Sequence, residues 1–187
     1  MKKFELTAET KINVFGTKLF RIKALISFGD VEEGETGGWI EKGENLEQSY
    51  GDAWVYGDAE VSGDARVSGN ARVYGNACVC GNAKVSGDAR VSGDARVYGN
   101  ACVCGDAEVF GNADYTTIHG FGTQFRTTTF FRCKDKQIRV SCGCFFGTIS
   151  EFREQVKNTR KGKIAEEYLM IADLMEKHFA EEKESGE

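Results

Sequence analysis

GDAWVYGDAEVSGDARVSGNARVYGNACVCGNAKVSGDARVSGDARVYGNACVCGDAEVFGNA, residues 51 to 113, is a single six-residue phrase repeated without a break in phase. Glycine stands at 51, 57, 63, 69, 75, 81, 87, 93, 99, 105 and 111, followed by Asp or Asn, then Ala, a variable residue, Val and a second variable residue. One branched and one tiny apolar residue per six is the signature of a stacked, parallel β-helix. The expected fold is mainly β, a left-handed hexapeptide solenoid, with the less regular right-handed β-helix as the alternative.

Three hexads make a triangular coil of about 18 residues, and coils stack at the ~4.8 Å strand spacing. Valines from Val55 onward should fill the narrow interior, and alanines from Ala53 onward should sit inward near the corners, where nothing larger fits. The residues flanking each valine then face outward, because strand side chains alternate. Gly with Asp or Asn supplies the corner, since glycine adopts positive φ freely and Asn or Asp bonds the local backbone. The Asp/Asn choice varies between hexads, as expected if carboxylates on neighbouring coils would repel. The chain contains no proline, which suits a backbone that uses nearly every amide in ladders.

Residues 62 to 81, SGDARVSGNARVYGNACVCG, recur at 86 to 105 with one change, Asn70 against Asp94. The offset of 24 residues is four hexads, not a whole number of coils. A duplicate should therefore land one face further round the prism, placing Tyr74 and Tyr98, or Cys78 and Cys102, on different faces. Outward side chains forming one exact site would not survive such a rotation; a spacer would.

The 187 residues carry a net charge of −5, with a pI near 5.3. Nucleic-acid binders are usually basic, so that partner class is disfavoured. No apolar run approaches a membrane span, and Met1-Lys2-Lys3 leads into Phe4-Glu5-Leu6 rather than a signal core. Seven cysteines, an odd number, suit a reducing cytoplasmic compartment better than a secreted disulfide scaffold.

Three regions follow. Residues 1–50 should hold short strands: Lys11 to Phe15, a turn at Gly16-Thr17, and an alternating strand from Leu19 to Ile26, with an irregular first coil from Gly29 to Asn45. This hairpin is expected to cap the open end of the solenoid, because an uncapped β-helix exposes its core. Residues 51–116 are the solenoid. Residues 117–187 should form a ββαα module: a hairpin from Thr127 to Cys142, a helix capped by Thr148 and Glu151 with Ile149, Phe152 and Val156 on one face, then a basic loop. The second helix carries Ile164, Tyr168, Ile171, Ala172, Met175 and Phe179 on one stripe, and the acidic tail Glu181 to Glu187 should fray.

The end segments TKINVFGTKLFRIKALISFGDVEEGETGGWIEKGENL (residues 10–46) and TTTFFRCKDKQIRVSCGCFFGTISEFREQV (residues 127–156) resemble a family of small proteins found mainly in phages and prophages. Members keep both ends and vary the number of hexads. The resemblance implies a phage or prophage origin and brings no activity with it. More distantly, the hexads are similar to those of left-handed β-helix acyltransferases and gamma-class carbonic anhydrases, a likeness of architecture alone.

Three constellations are candidates for chemistry. An acyltransferase needs a histidine base, and His119, just past the last coil, is the residue placed for it; carbonic anhydrase chemistry needs three histidines and this chain has two. The thiols Cys78, Cys80, Cys102, Cys104, Cys142 and Cys144 fall in three Cys-x-Cys pairs, a closer spacing than structural zinc sites use. No metal or cofactor is therefore expected. On the prism, Trp54, Arg72, Arg90 and Glu108 should stack on one face beside Tyr56, Tyr74, Ser92 and Phe110. Arginines beside aromatic rings suit a flat anion such as a nucleotide, or a subunit interface.

The expected function is a non-catalytic, oligomeric binding or scaffold protein, a trimer first, acting in counter-defence on a host protein or a small anionic molecule. A hexapeptide acyltransferase and a virion component are the alternatives. Ligand or partner contacts are sought at Tyr56, Arg72, Tyr74, Arg90, His119, Phe121, Phe125 and Arg160. The rotated duplication favours the ends, His119 to Arg132 and the loop at Arg160, over the hexads.

Overall fold

The computed structural model describes residues 2–180. Its centre is a parallel β-solenoid built from ten two-residue strands. These follow three longer strands, β1 (Phe4–Ile12), β2 (Lys18–Ala24) and β3 (Thr36–Ile40). The ten are β4 (Trp54–Val55), β5 (Glu60–Val61), β6 (Arg66–Val67), β7 (Arg72–Val73), β8 (Cys78–Val79), β9 (Lys84–Val85), β10 (Arg90–Val91), β11 (Arg96–Val97), β12 (Cys102–Val103) and β13 (Glu108–Val109). Strands 18 residues apart pair in register, so β4, β7, β10 and β13 make one face, β5, β8 and β11 a second, and β6, β9 and β12 a third.

The hexad explains this geometry residue by residue. Every valine from Val55 to Val109 and every alanine from Ala53 to Ala107 is at most 1% exposed. The corner glycines hold φ between +58° and +71° from Gly57 to Gly105, the left-handed region that other residues rarely enter. Along the corners, Asn70 Nδ2 donates to Asp88 Oδ1 at 2.9 Å, Asn76 to Asp94 at 3.1 Å and Asn82 to Asn100 at 3.0 Å. Where the corner residue is Asn its amide thus donates to the next coil's oxygen, while Asp88 and Asp106 place two acids on neighbouring coils.

Both ends close the core. β1, β2 and β3 form an antiparallel sheet that continues the second face, β3 pairing parallel with β5. Ile40 opposes Val61, an offset of 21 residues rather than the 18 between Val61 and Val79, which marks the irregular first coil. Gly37 and Gly38 make this possible: a Cβ on Gly37 would lie 2.6 Å from Ile22 and Trp54, and one on Gly38 2.6 Å from Val55. The first hairpin turns earlier than its apolar pattern predicts. Val14 and Phe15 fall in the turn, 87% and 67% exposed, because Asn13 Oδ1 accepts from the N–H groups of Phe15 and Thr17 and closes the loop there.

Trp54 departs from expectation. Its register places it opposite Arg72 on the first face, yet it is fully buried, with Phe4 and Phe28 packed edge-on against its ring. The N-terminal segment covers the first coil from the side as well as the end.

At the other end the repeat outlasts the solenoid. Ala113 is exposed, and the Asp114 carboxylate accepts from the N–H groups of Phe110 and Gly111 to stop the coil. The C-terminal sheet has four antiparallel strands rather than two: β14 (Tyr115–Phe121), β15 (Arg126–Arg132), β16 (Ile138–Cys142) and β17 (Phe145–Thr148). Alternation along β15 lets one sheet serve two cores. Phe131 joins the solenoid core, and Phe130 joins the core of α1 (Ile149–Thr159) and α2 (Gly162–Phe179). The helix faces match the expected ones, with Thr148 and Glu151 forming the capping box and Ile149, Phe152 and Val156 buried. Tyr168, Ile171, Ala172, Met175 and Phe179 are buried from α2, while Ile164 is partly covered. Residues 181–187, the expected frayed tail, lie outside the described residues. No described helix is long and apolar enough to cross a membrane.

Candidate functional site

The sequence candidates separate into three places. Tyr56, Arg72, Tyr74 and Arg90 do meet, together with Asp30, around a shallow hollow of about 350 Å³ on the first face. Asp30 decides its character: its carboxylate receives Arg72 at 2.6 Å and the Tyr56 hydroxyl at 3.1 Å. Burial, reinforced by that carboxylate, pushes the Tyr56 phenol up to about 12. Arg90 lies 4.0 Å from Glu108. The arginines of this face already have acidic neighbours, one supplied by a loop that no hexad pattern reveals.

His119 and Phe125 lie elsewhere, in a groove of about 430 Å³ where the third face of the solenoid meets the C-terminal sheet. Asn82, Lys84, Asn100 and Cys102 form the solenoid wall. His119, Phe125, Arg126, Thr127, Ser141 and Gly143 form the other. Local reasons place each group. Lys84 sits directly beneath Cys102 by register, and the Cys102 N–H donates to Thr129 Oγ1 at 3.0 Å, which docks β15 on the last coil. The Arg126 guanidinium lies across Gly143, at φ +64°, where any side chain would displace it. His119 Nδ1 is 3.2 Å from Thr127 Oγ1. Among the described residues no carboxylate lines the groove, and Lys84 and Arg126 form no ion pair.

Arg160 opens onto a neighbouring cavity of about 110 Å³ with Arg126, Cys142, Cys144, Gln155, Thr159 and Tyr168. Phe121 is in neither; it packs against the helical core, and its carbonyl accepts from the Tyr168 hydroxyl.

The cysteines follow the rotation expected of the duplication. Cys78 stacks between Glu60 and Arg96 on the second face, whereas Cys102 stacks on Lys84 on the third. Burial first, then its neighbour Cys80, pushes the Cys78 thiol up to about 12. Hydrogen bonding from Cys104, then Ser141, with the Lys84 ammonium nearby, brings Cys102 down to about 6 despite its burial. Cys104 moves up in return as the donor of that pair. Among the described residues no three His, Cys, Asp or Glu side chains are grouped so as to hold a metal ion.

Sequence reasoning missed Lys84 and Ser141, and reached Arg126 only as an unnamed member of the stretch His119 to Arg132. Lys84 leaves a trace: it is the single lysine among the hexads. Nothing local marks Arg126, because its importance comes from the docking of β15.

A family model described as the YdcK beta solenoid repeat matches residues 59–75, 65–81, 83–99 and 89–105, all inside the hexads. No curated protein matches the chain. With the register of its strands, the match establishes the chain as a parallel β-solenoid repeat protein.

Proposed function

We propose that this β-solenoid is a non-catalytic binding protein that holds a small anionic molecule in the groove between its third face and its C-terminal sheet. The observation that carries the reading is the lining. Lys84, Arg126 and His119 converge there with amide and hydroxyl donors from Asn82, Asn100, Thr127 and Ser141, and among the described residues no carboxylate competes. Charge-assisted hydrogen bonds to a phosphate or carboxylate suit such a set, and Phe125 offers a ring for a flat ligand. The volume falls in the range of small-molecule sites, roughly 300–1,000 Å³. The first-face arginines are the weaker site, because Asp30 already neutralises Arg72.

The resemblance of the ends to phage and prophage proteins supports a use in counter-defence within the cytoplasm of a bacterial host, by sequestering a nucleotide-like molecule. Self-association, a trimer first, would run through the exposed aromatic residues of the prism, among them Tyr98 and Phe110. Native mass spectrometry of gently purified protein, repeated after denaturation, tests the reading. A few hundred daltons lost on denaturation from the wild type and missing from Lys84→Ala/Arg126→Ala is the expected result, and the native mass counts subunits. A bare oligomer that instead captures a host protein through the first face would refute the groove.

A further inference from the structure

We propose that Cys102 is a site of thiol–disulfide exchange, forming a mixed disulfide with small disulfides that enter the groove. The proposal rests on the groove as a ligand site only for its preference among reagents; the thiol's reactivity stands on its own surroundings.

Those surroundings are built by two parts of the chain. Cys102 lines the groove and is only half-buried, so a reagent in the groove reaches its sulfur. Lys84 stands one coil beneath it and Ser141 comes from β16 opposite. The Thr129 hydroxyl accepts from the Cys102 N–H and fixes its backbone. A neighbouring cation, Lys84, favours the thiolate, which is the attacking form. The direction of the Cys102 titration agrees with this.

The duplicate is a control within the same chain. Cys78-Val79-Cys80 has the same local sequence, but Cys78 stacks between Glu60 and Arg96 and lies outside the groove, whereas Cys102 stacks on Lys84 within it. Local sequence is therefore not the cause of reactivity; docking is.

The exchange balances without further reagents. The Cys102 thiolate attacks one sulfur of R–S–S–R, forming Cys102–S–S–R and releasing R–S⁻; one S–S bond forms as another breaks. Cys102 gives its proton to solvent beforehand, and the leaving thiolate takes one up as pH dictates. Cys104 is poorly placed to displace the adduct. Residues two apart on a strand are about 6.6 Å between Cα atoms with parallel Cβ vectors, at the far limit of disulfide geometry. The mixed disulfide should persist until an external thiol removes it.

The test uses the reduced full-length protein with two probes, dianionic dithiobis(nitrobenzoate) and neutral dithiodipyridine, each limiting, at about pH 6.5, with sites mapped by peptide mass spectrometry. Cys102 should be modified at least about tenfold faster than Cys78, and its rate should level off above neutral pH. Lys84→Ala should slow the dianionic probe more than the neutral one while the melting temperature stays near wild type. Cys102 reacting no faster than Cys78 with either probe, or with a rate still climbing through about pH 9, overturns the proposal. Fast reaction of Cys102 with both probes alike upholds the thiol site and overturns the anion-gathering groove instead.

Discussion

Replacing Asn70 by Asp should weaken the solenoid, although the same exchange is present naturally in the duplicate at Asp94. At one corner the stack runs Asp52, Asn70, Asp88, Asp106; at the next it runs Asp58, Asn76, Asp94, Asn112. Asn70 accepts from the Asp52 N–H at 3.2 Å and donates to Asp88 at 2.9 Å. Aspartate at position 70 keeps the first contact, loses the second and puts four carboxylates in a row, adding two like-charge pairs to the natural one between Asp88 and Asp106. At the ~4.8 Å coil spacing each like-charge pair costs about 0.9 kcal/mol in water, roughly halved by physiological salt. Two such pairs and a lost hydrogen bond of about 1 kcal/mol sum to about 2 kcal/mol. For a chain of this size that lowers the melting temperature by about 4–8 °C. Asp94→Asn places an amide between Asn76 and Asn112, still accepts from Asn76, and should change stability by under about 0.5 kcal/mol. Thermal unfolding followed by circular dichroism at about 0.05 M and 1 M salt separates the contributions, because high salt should shrink the Asn70→Asp deficit and leave Asp94→Asn alone. Equal effects of the two substitutions, or an Asn70→Asp deficit indifferent to salt, would refute the ladder as the reason for the alternation.

Corner glycines should differ in their sensitivity. Gly57→Ala, at φ +58° with no atom within 4 Å of the new Cβ, should cost about 1 kcal/mol, whereas Gly87→Ala, whose Cβ meets the Gly105 backbone at 2.9 Å, should cost clearly more in the same melting assay. Removing residues 63–80, one whole coil, should preserve the groove and its bound mass, because the strands beyond keep their faces; removing one hexad from within the region between Lys84 and Cys102 should abolish it, as native mass spectrometry would show. Acid should loosen the C-terminal module first. Hydrogen bonds from the Thr148 N–H and hydroxyl hold the Glu151 carboxyl below its ordinary value, and Arg153 does the same for Glu176. Groups depressed in the folded state stabilise above their unfolded values, so this contribution is present above about pH 4.5 and lost as pH falls through the folded values. Glu151→Gln should flatten that acid response in hydrogen exchange of α1.

How legible the protein was depended on the distance over which its residues act. The helix cap at Thr148, the apolar stripes of α1 and α2, and the hairpin of β15 and β16 rest on neighbours within one or two turns, and local pattern found them. The strands β14 and β17 escaped it: Tyr115-Thr116-Thr117-Ile118 and Phe145-Phe146 are too short or too mixed to show an alternation, and exist because β15 and β16 need partners on both edges. Of the candidate side chains, Arg72 and Tyr56 do lie together, but their shared neighbour Asp30 could not be read from the hexads, since it arrives from a turn 42 residues before Arg72.

A six-residue period determines by itself which residue points inward, how many make a coil, and on which face each copy of a duplication lies, because these follow from strand alternation and a corner glycine alone. It cannot determine what docks on those faces. Cys78 and Cys102 share their local sequence and differ in surroundings because one meets Glu60 and Arg96 and the other meets Lys84, Thr129 and Ser141. Charge, burial and hydrogen bonding are sums over neighbours in space, and only the tertiary structure chooses those neighbours.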